Sequence, residues 1–159
     1  MSDAKVSQSE LEAVTDAVLL ASRALVAVAS RSIAAVDDAV TLPQFRALVV
    51  LDTADAGLNV GALANELRIQ PSTATRLCDR LVRRRLARRR VNPNNRRVVT
   101  IELTSDGRAL VRDVTARRRR EIGSIMAKVP ARQREAIVEA LTAFREAAGQ
   151  DDVALSVPW

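Results

Sequence analysis

Residues 63–107 read LANELRIQPSTATRLCDRLVRRRLARRRVNPNNRRVVTIELTSDG, and the changes of pattern inside this stretch decide the fold. Leu63, Ala64 and Leu67 form the apolar stripe of a short helix that opens at Asn59 and stops within 68–70. Pro71 then starts a second helix, because its missing N–H would have no partner in a first turn. That helix runs to about residue 84 with Ala74, Leu77, Cys78 and Leu81 facing inward. After Leu86 the period changes from helical to alternating: Val99, Ile101 and Leu103 point one way and Val98, Thr100 and Glu102 the other, as in a half-buried strand. Paired with residues 87–90 across the turn Val91-Asn92-Pro93-Asn94-Asn95, it makes a hairpin. Within 83–97 the chain holds eight arginines and no acid.

The flanks read as helices. From Ser9 to Val36 there is no Gly or Pro, and Leu11, Val14, Val18, Ala21, Leu25 and Val28 recur at helical spacing. The middle of this helix is apolar around much of its circumference, so burial against more than one element is expected, with a second subunit able to supply part of the cover. Thr41-Leu42-Pro43-Gln44 has the spacing of a capping box and opens a helix carrying Phe45, Leu48 and Val49, expected to end near Gly57. Thr104-Ser105-Asp106 supplies a cap and a first-turn acid for a fifth helix through Leu110, Val111, Val114, Ile122 and Met126. Pro130 starts a sixth with Ile137, Leu141 and Phe144, and residues 149–159 read as an irregular tail.

Composition narrows the chemistry. The 159 residues carry a formal charge of +6, which favours an anionic partner, and 48% hydrophobic content is enough for one domain's core. Of 25 basic residues only Lys5 and Lys128 are lysines, and arginine brings a bidentate fork suited to phosphates and guanine edges. There is no histidine, one cysteine and no carboxylate cluster at metal spacing, so no catalytic residue, metal site or cofactor is expected and the chain reads as a non-enzyme. The apolar segment within 18–29 is short and interrupted by Ser22 and Arg23, so a soluble, cytoplasmic protein without membrane contact is expected.

Two short helices around a tight turn, followed at once by a two-stranded ribbon, make a winged helix-turn-helix. The fold class expected is mainly α with a small β-hairpin wing and helices on either side. A major groove admits one α-helix while the hairpin reaches the neighbouring groove, so the helix from Pro71 is the reader and double-stranded DNA the partner. Its first turns present Gln70, Ser72, Thr73, Thr75 and Arg76, small hydroxyls together with a guanidinium that spans two acceptors on a guanine. Arg80 and Arg83 continue that surface, and Arg90, Arg96 and Arg97 belong to the hairpin as phosphate contacts.

The ordered set Leu63-Ala64-Asn65-Glu66-Leu67, the run from Pro71 to Leu81, Asn92-Pro93-Asn94-Asn95-Arg96-Arg97 and Leu103-Thr104-Ser105-Asp106-Gly107 resembles the MarR family of bacterial transcription regulators. That family's wing signature, Asp-x-Arg, five residues, Leu-Thr-x-x-Gly, is matched at Arg97, Leu103, Thr104 and Gly107. Asn95 stands where the family has Asp, and Arg85 where a helix-ending Gly is usual, which makes this wing more positive and its mobility open. The resemblance implies a homodimer with dimerisation helices in 1–40 and 104–148 and a DNA-binding lobe in 41–103. It also implies that Arg96 or Arg97 inserts in the minor groove, and that a small anionic or phenolic effector releases a repressor from an inverted repeat. Phe45 and Arg46 are the candidate effector contacts. A non-specific, DNA-coating architectural role is the alternative.

Other charges have plainer readings. Three consecutive helical residues fan over about 200°, so Arg83, Arg84 and Arg85 cannot all face one DNA strand. The run Arg117-Arg118-Arg119-Arg120 spreads further, and at least one member must pair with an acid or line an interface. Cys78 lies on an apolar stripe and reads as core filler, and Trp159 belongs to the tail.

Overall fold

The computed structural model describes residues 7–54, 56–92 and 95–148; the side chains of 92 and 95–98 lie outside that description. Helix α1 (Gln8–Ala34) is capped by Ser7, whose Oγ accepts from the Glu10 N–H at 3.2 Å. Only Val28, Ala29, Ser32 and Ile33 of α1 are buried. Leu11 and Leu20 are 59% and 63% exposed, so the cover expected for the middle of this helix does not come from the described residues. By length and apolarity α1 also meets the requirements of a membrane-crossing helix, which the shorter segment read from the sequence did not.

Helix α2 (Leu42–Asp52) has Pro43 in its first turn and Gln44 Oε1 accepting from the Thr41 N–H at 2.9 Å, the returning half of a capping box. It stops five residues short of Gly57. The Thr53 hydroxyl bonds back to the Val50 carbonyl at 2.8 Å at this end, and the chain then turns through Gly57 at φ +71°. A Cβ there would lie 2.7 Å from the Ile101 carbonyl oxygen. The close approach serves a bridge that the sequence reading missed: Leu58 and Ile101 exchange both backbone hydrogen bonds, at 3.1 and 2.7 Å.

Helix α3 (Val60–Leu67) is capped by Asn59, which accepts from the Ala62 N–H at 2.8 Å. Helix α4 (Pro71–Arg83) follows, then strands β1 (Ala87–Asn92) and β2 (Asn95–Leu103), antiparallel with Ala87 opposite Leu103 and Arg89 opposite Ile101. Two arginines end α3 and α4 in the left-handed region, Arg68 at φ 53° and Arg85 at φ 59°. At each end the same pair of bonds closes the helix: Arg68 and Ile69 N–H to the Asn65 and Ala64 carbonyls, Arg85 and Leu86 N–H to the Val82 and Leu81 carbonyls. This is the Schellman pattern, ordinarily ended by glycine, and buried Leu81 and Leu86 supply its apolar partners.

Helix α5 (Ser105–Met126) and helix α6 (Ala131–Ala147) complete the chain. The core gathers Phe45, Leu48, Leu51, Leu63, Leu81, Ile101, Leu103 and Val114 from α2 to α5, with Val28 and Ile33 from α1 also buried. Within α6 no residue is buried, and Val138, Leu141 and Phe144 are more than half exposed. The architecture is the expected winged helix-turn-helix with a helix on its N-terminal side and two on its C-terminal side.

Candidate nucleic-acid interface

Helix α4 divides cleanly. Ala74, Leu77, Cys78 and Leu81 are buried, while Ser72, Thr73, Thr75, Arg76, Arg80 and Arg83 are exposed on the other side, with Gln70 exposed at the N-cap. The Thr75 hydroxyl donates to the Pro71 carbonyl at 2.9 Å, which leaves its oxygen to accept. Arg76, Arg80 and Arg83 have no ion-paired acid among the described residues. A cleft of about 270 Å³ opens between α2 and α4, lined by Thr41, Thr73, Arg76 and Arg80 above Gln44 and Leu77.

The arginines that follow are held by acids. Arg84 is half-buried and its Nη2 lies 2.8 and 2.6 Å from the two Asp37 oxygens. Arg88 stands across the ladder from Glu102 and donates at 3.1 Å, and Arg90 donates to the other Glu102 oxygen at 3.2 Å. Arg89, on the opposite face of β1, reaches back to Asp79 of α4. Desolvation pushes the Glu102 carboxyl up, but the hydrogen bonds and charges of Arg88 and Arg90 outweigh it and hold the pKa below the ordinary glutamate value. Of the hairpin residues expected to meet phosphates, Arg90 is thus shared with Glu102, while the side chains of Arg96 and Arg97 lie outside the described residues. Asp37, Asp79 and Glu102 were not singled out in the sequence, although a hairpin register pairing Ala87 with Leu103 puts Arg88 opposite Glu102.

The Leu-Thr-x-x-Gly run fastens wing to helix. Leu103 is buried; Thr104 Oγ1 accepts from the Gly107 N–H at 3.1 Å and donates to the Arg85 carbonyl at 2.7 Å. The Thr104 N–H bonds the Leu86 carbonyl at 3.1 Å, and a Cβ on Gly107 would lie 2.1 Å from that same oxygen. One threonine therefore caps α5 and anchors the residue that ends α4.

Cys78 is fully buried, and desolvation leads the effects that push its thiol pKa up, which suits core filling and not thiolate chemistry. Phe45 lies in the core, and Arg46 beside it is half-buried, its pKa lowered by desolvation. A second polar group was not foreseen. On the inward face of α5, one turn beyond Val111 and Val114, the Thr115 hydroxyl and the Nε and Nη1 of Arg118 are buried without a hydrogen-bond partner among the described residues. Ser32 Oγ on α1, which packs on α5, is buried and likewise has no partner among the described residues. Burial lowers the Arg118 pKa.

The comparisons agree with this geometry. The family model described as MarR family matches residues 40–99, from the entry to α2 through most of the wing. No curated protein matches the chain in sequence. The crystal structure of RV1404 from Mycobacterium tuberculosis is 44% identical, covers 92% of this chain and 99% of its own, and superposes with a TM-score of 0.81. A mutant MepR from S. aureus, bound to an oligodeoxyribonucleotide, shares the fold at 20% identity and a TM-score of 0.65, over 85% of this chain and 97% of its own. CouR from Rhodococcus jostii, bound to p-coumaroyl-CoA, does so at 21% identity and a TM-score of 0.65, over 87% and 95%. With the wing signature, the reader helix and these matches on one chain, the protein belongs to the MarR family of DNA-binding transcription regulators.

Proposed function

We infer that the chain is a homodimeric repressor that reads an inverted-repeat operator with α4 and leaves it when a small anionic effector binds. The observation that carries sequence reading is the outward face of α4: Ser72, Thr73, Thr75 and Arg76 on its first two turns, exposed, with the nearby arginines Arg76 and Arg80 unpaired by acid among the described residues. Small hydroxyls permit close approach to base edges, and an arginine fork spans O6 and N7 of a guanine. The wing supplies placement on phosphates. Arg96 and Arg97 belong to that role, with Arg90 joining when Glu102 yields it.

The second subunit covers apolar surface. Leu11, Val14 and Leu20 of α1 and Val138, Leu141 and Phe144 of α6 are each more than half exposed, apolar side chains on the two helices that a partner subunit would cover. Residues 1–40 and 104–148 thus form a dimer base, and two reader helices about 34 Å apart enter successive major grooves. Sedimentation tests this: a stable dimer supports the base, whereas a monomer in buffer that binds vesicles supports a membrane role for α1.

For release, Arg118 and Thr115 of α5 and Ser32 of α1, the helix packed against it, carry buried polar atoms without a partner among the described residues. A carboxylate or phenolate seated there satisfies these groups and shifts the α1 to α5 packing, and with it the spacing of the readers. That MepR holds DNA and CouR an acyl-CoA on the same fold supports both halves of the reading. Arg46 and Phe45 remain the candidates on the α2 side. Footprinting on DNA upstream of the chain's own gene, repeated with a panel of phenolic acids, is the test: a bounded site lost on adding one acid supports the repressor, and uniform protection supports non-specific coating.

A further inference from the structure

A second cleft lies away from the reading face. It sits between the C-terminal part of α1 and the C-terminal half of α5, measures about 470 Å³, and is lined by Arg31, Arg117, Arg120, Glu121 and Ser124. The lining holds three guanidiniums and one carboxylate, and that carboxylate is engaged by Arg31 alone: Glu121 Oε1 accepts from Arg31 Nε at 3.0 Å and from Arg31 Nη2. On an isolated helix Glu121 would pair with Arg117 four residues earlier. Here it is drawn across to α1, which leaves Arg117 and Arg120 one turn apart on the same helix with no acid in ion-pairing distance among the described residues. Like charges at this spacing destabilise a helix, so an uncompensated pair at the mouth of a cleft is a site for a counter-anion.

We propose that this cleft binds a small anion of the phosphate type carrying two or more negative charges, such as a diphosphate group. Arg117 and Arg120 present two forks that match phosphate oxygens, geometry that lysine lacks. Arg31 faces them from α1 and is tied to α5 through Glu121. Glu121 also repels anions, so the site favours a ligand with enough charge to engage both arginines over chloride or a monocarboxylate. The volume lies in the range of small-ligand pockets, about 300–1,000 Å³, and leaves room for a group attached to the phosphates.

The test is calorimetric titration of the full chain with inorganic pyrophosphate at low salt, beside acetate as a monovalent control. The wild type is expected to bind one pyrophosphate per chain and no acetate. The double variant Arg117→Gln/Arg120→Gln should lose at least tenfold in affinity, whereas Glu121→Gln, which removes the repelling charge and releases Arg31, should gain severalfold. Arg76→Ala should bind as the wild type does, since the reading face is elsewhere. Absence of pyrophosphate binding by the wild type, equal loss in Arg76→Ala, or weakening in Glu121→Gln overturns the proposal. Two further readings separate other uses of these arginines. DNA affinity or dimer stability lost in the double variant, with pyrophosphate binding unchanged, assigns them to the DNA backbone or to the subunit contact and overturns the site.

Discussion

Arg84 Nη2 bonds both carboxylate oxygens of Asp37, at 2.8 and 2.6 Å, and so ties the last turn of the reader helix to the loop between α1 and α2. Asp37 Oδ1 also accepts from the Ala39 N–H at 3.1 Å, which holds the loop itself. Because the pair is only partly exposed, losing it costs more than an ordinary surface ion pair. Asp37→Asn is expected to lower unfolding free energy by about 1–2 kcal/mol, in line with hydrogen bonds to charged groups. Urea unfolding curves check this, and an unchanged midpoint would show that the contact is ornamental.

At the end of that helix Arg85 occupies the left-handed region, where a Cβ is unfavourable. Arg85→Gly should therefore stabilise the fold by up to about 1 kcal/mol, although one positive charge is lost. A rise in melting temperature is the expected result; a fall would mean that the side chain makes contacts outweighing the strain.

Thr104 and Gly107 are expected to differ in cost. Thr104→Ala removes an N-cap and a bond to Arg85, about 1–2 kcal/mol. Gly107→Ala drives a methyl group against the Leu86 carbonyl, so the backbone of the wing junction must move and the loss is the larger of the two. Thermal melts of both variants give the order, and equal melting temperatures would contradict it.

The wing should respond to acid through Glu102. Its folded pKa is depressed, so the unfolded chain binds the proton more readily and the stabilisation is fully present above the unfolded value of about 4.3. It is lost as pH falls through the folded value. Glu102→Gln should flatten this part of the stability profile below about pH 4.3. The same variant frees Arg88 and Arg90 at neutral pH and should steepen the salt dependence of DNA binding by about one phosphate contact. An identical acid profile in the variant would place the wing's acid sensitivity elsewhere.

Much of this was legible because periodicity and turn chemistry are local. The change from helical to alternating pattern after Leu86, Pro71 at a first turn and Asn59 as a cap are each carried by neighbouring residues, and the elements stand where these signals put them. What was hidden depends on distance in sequence. Leu58 pairs with Ile101 through a bridge too short for any alternation to show. The eight arginines of 83–97 looked like one basic patch, yet Arg84, Arg88, Arg89 and Arg90 are assigned to Asp37, Glu102 and Asp79, acids lying outside that window. The early end of α2 was missed because Thr53 looks no different from a mid-helix threonine until its bond to Val50 is seen.

The central claim is that sequence is read by the outward face of α4 and not by the arginine-rich stretch that follows it. Its direct test is the affinity of wild type and Arg76→Ala for the footprinted operator and for random DNA at one fixed salt concentration. The account predicts that the wild type prefers the operator by about 10³ or more. It also predicts that Arg76→Ala lowers this ratio by about 1–3 kcal/mol, confined to one base pair in each half-site. A wild-type ratio near one, or a ratio left unchanged by Arg76→Ala, would contradict it.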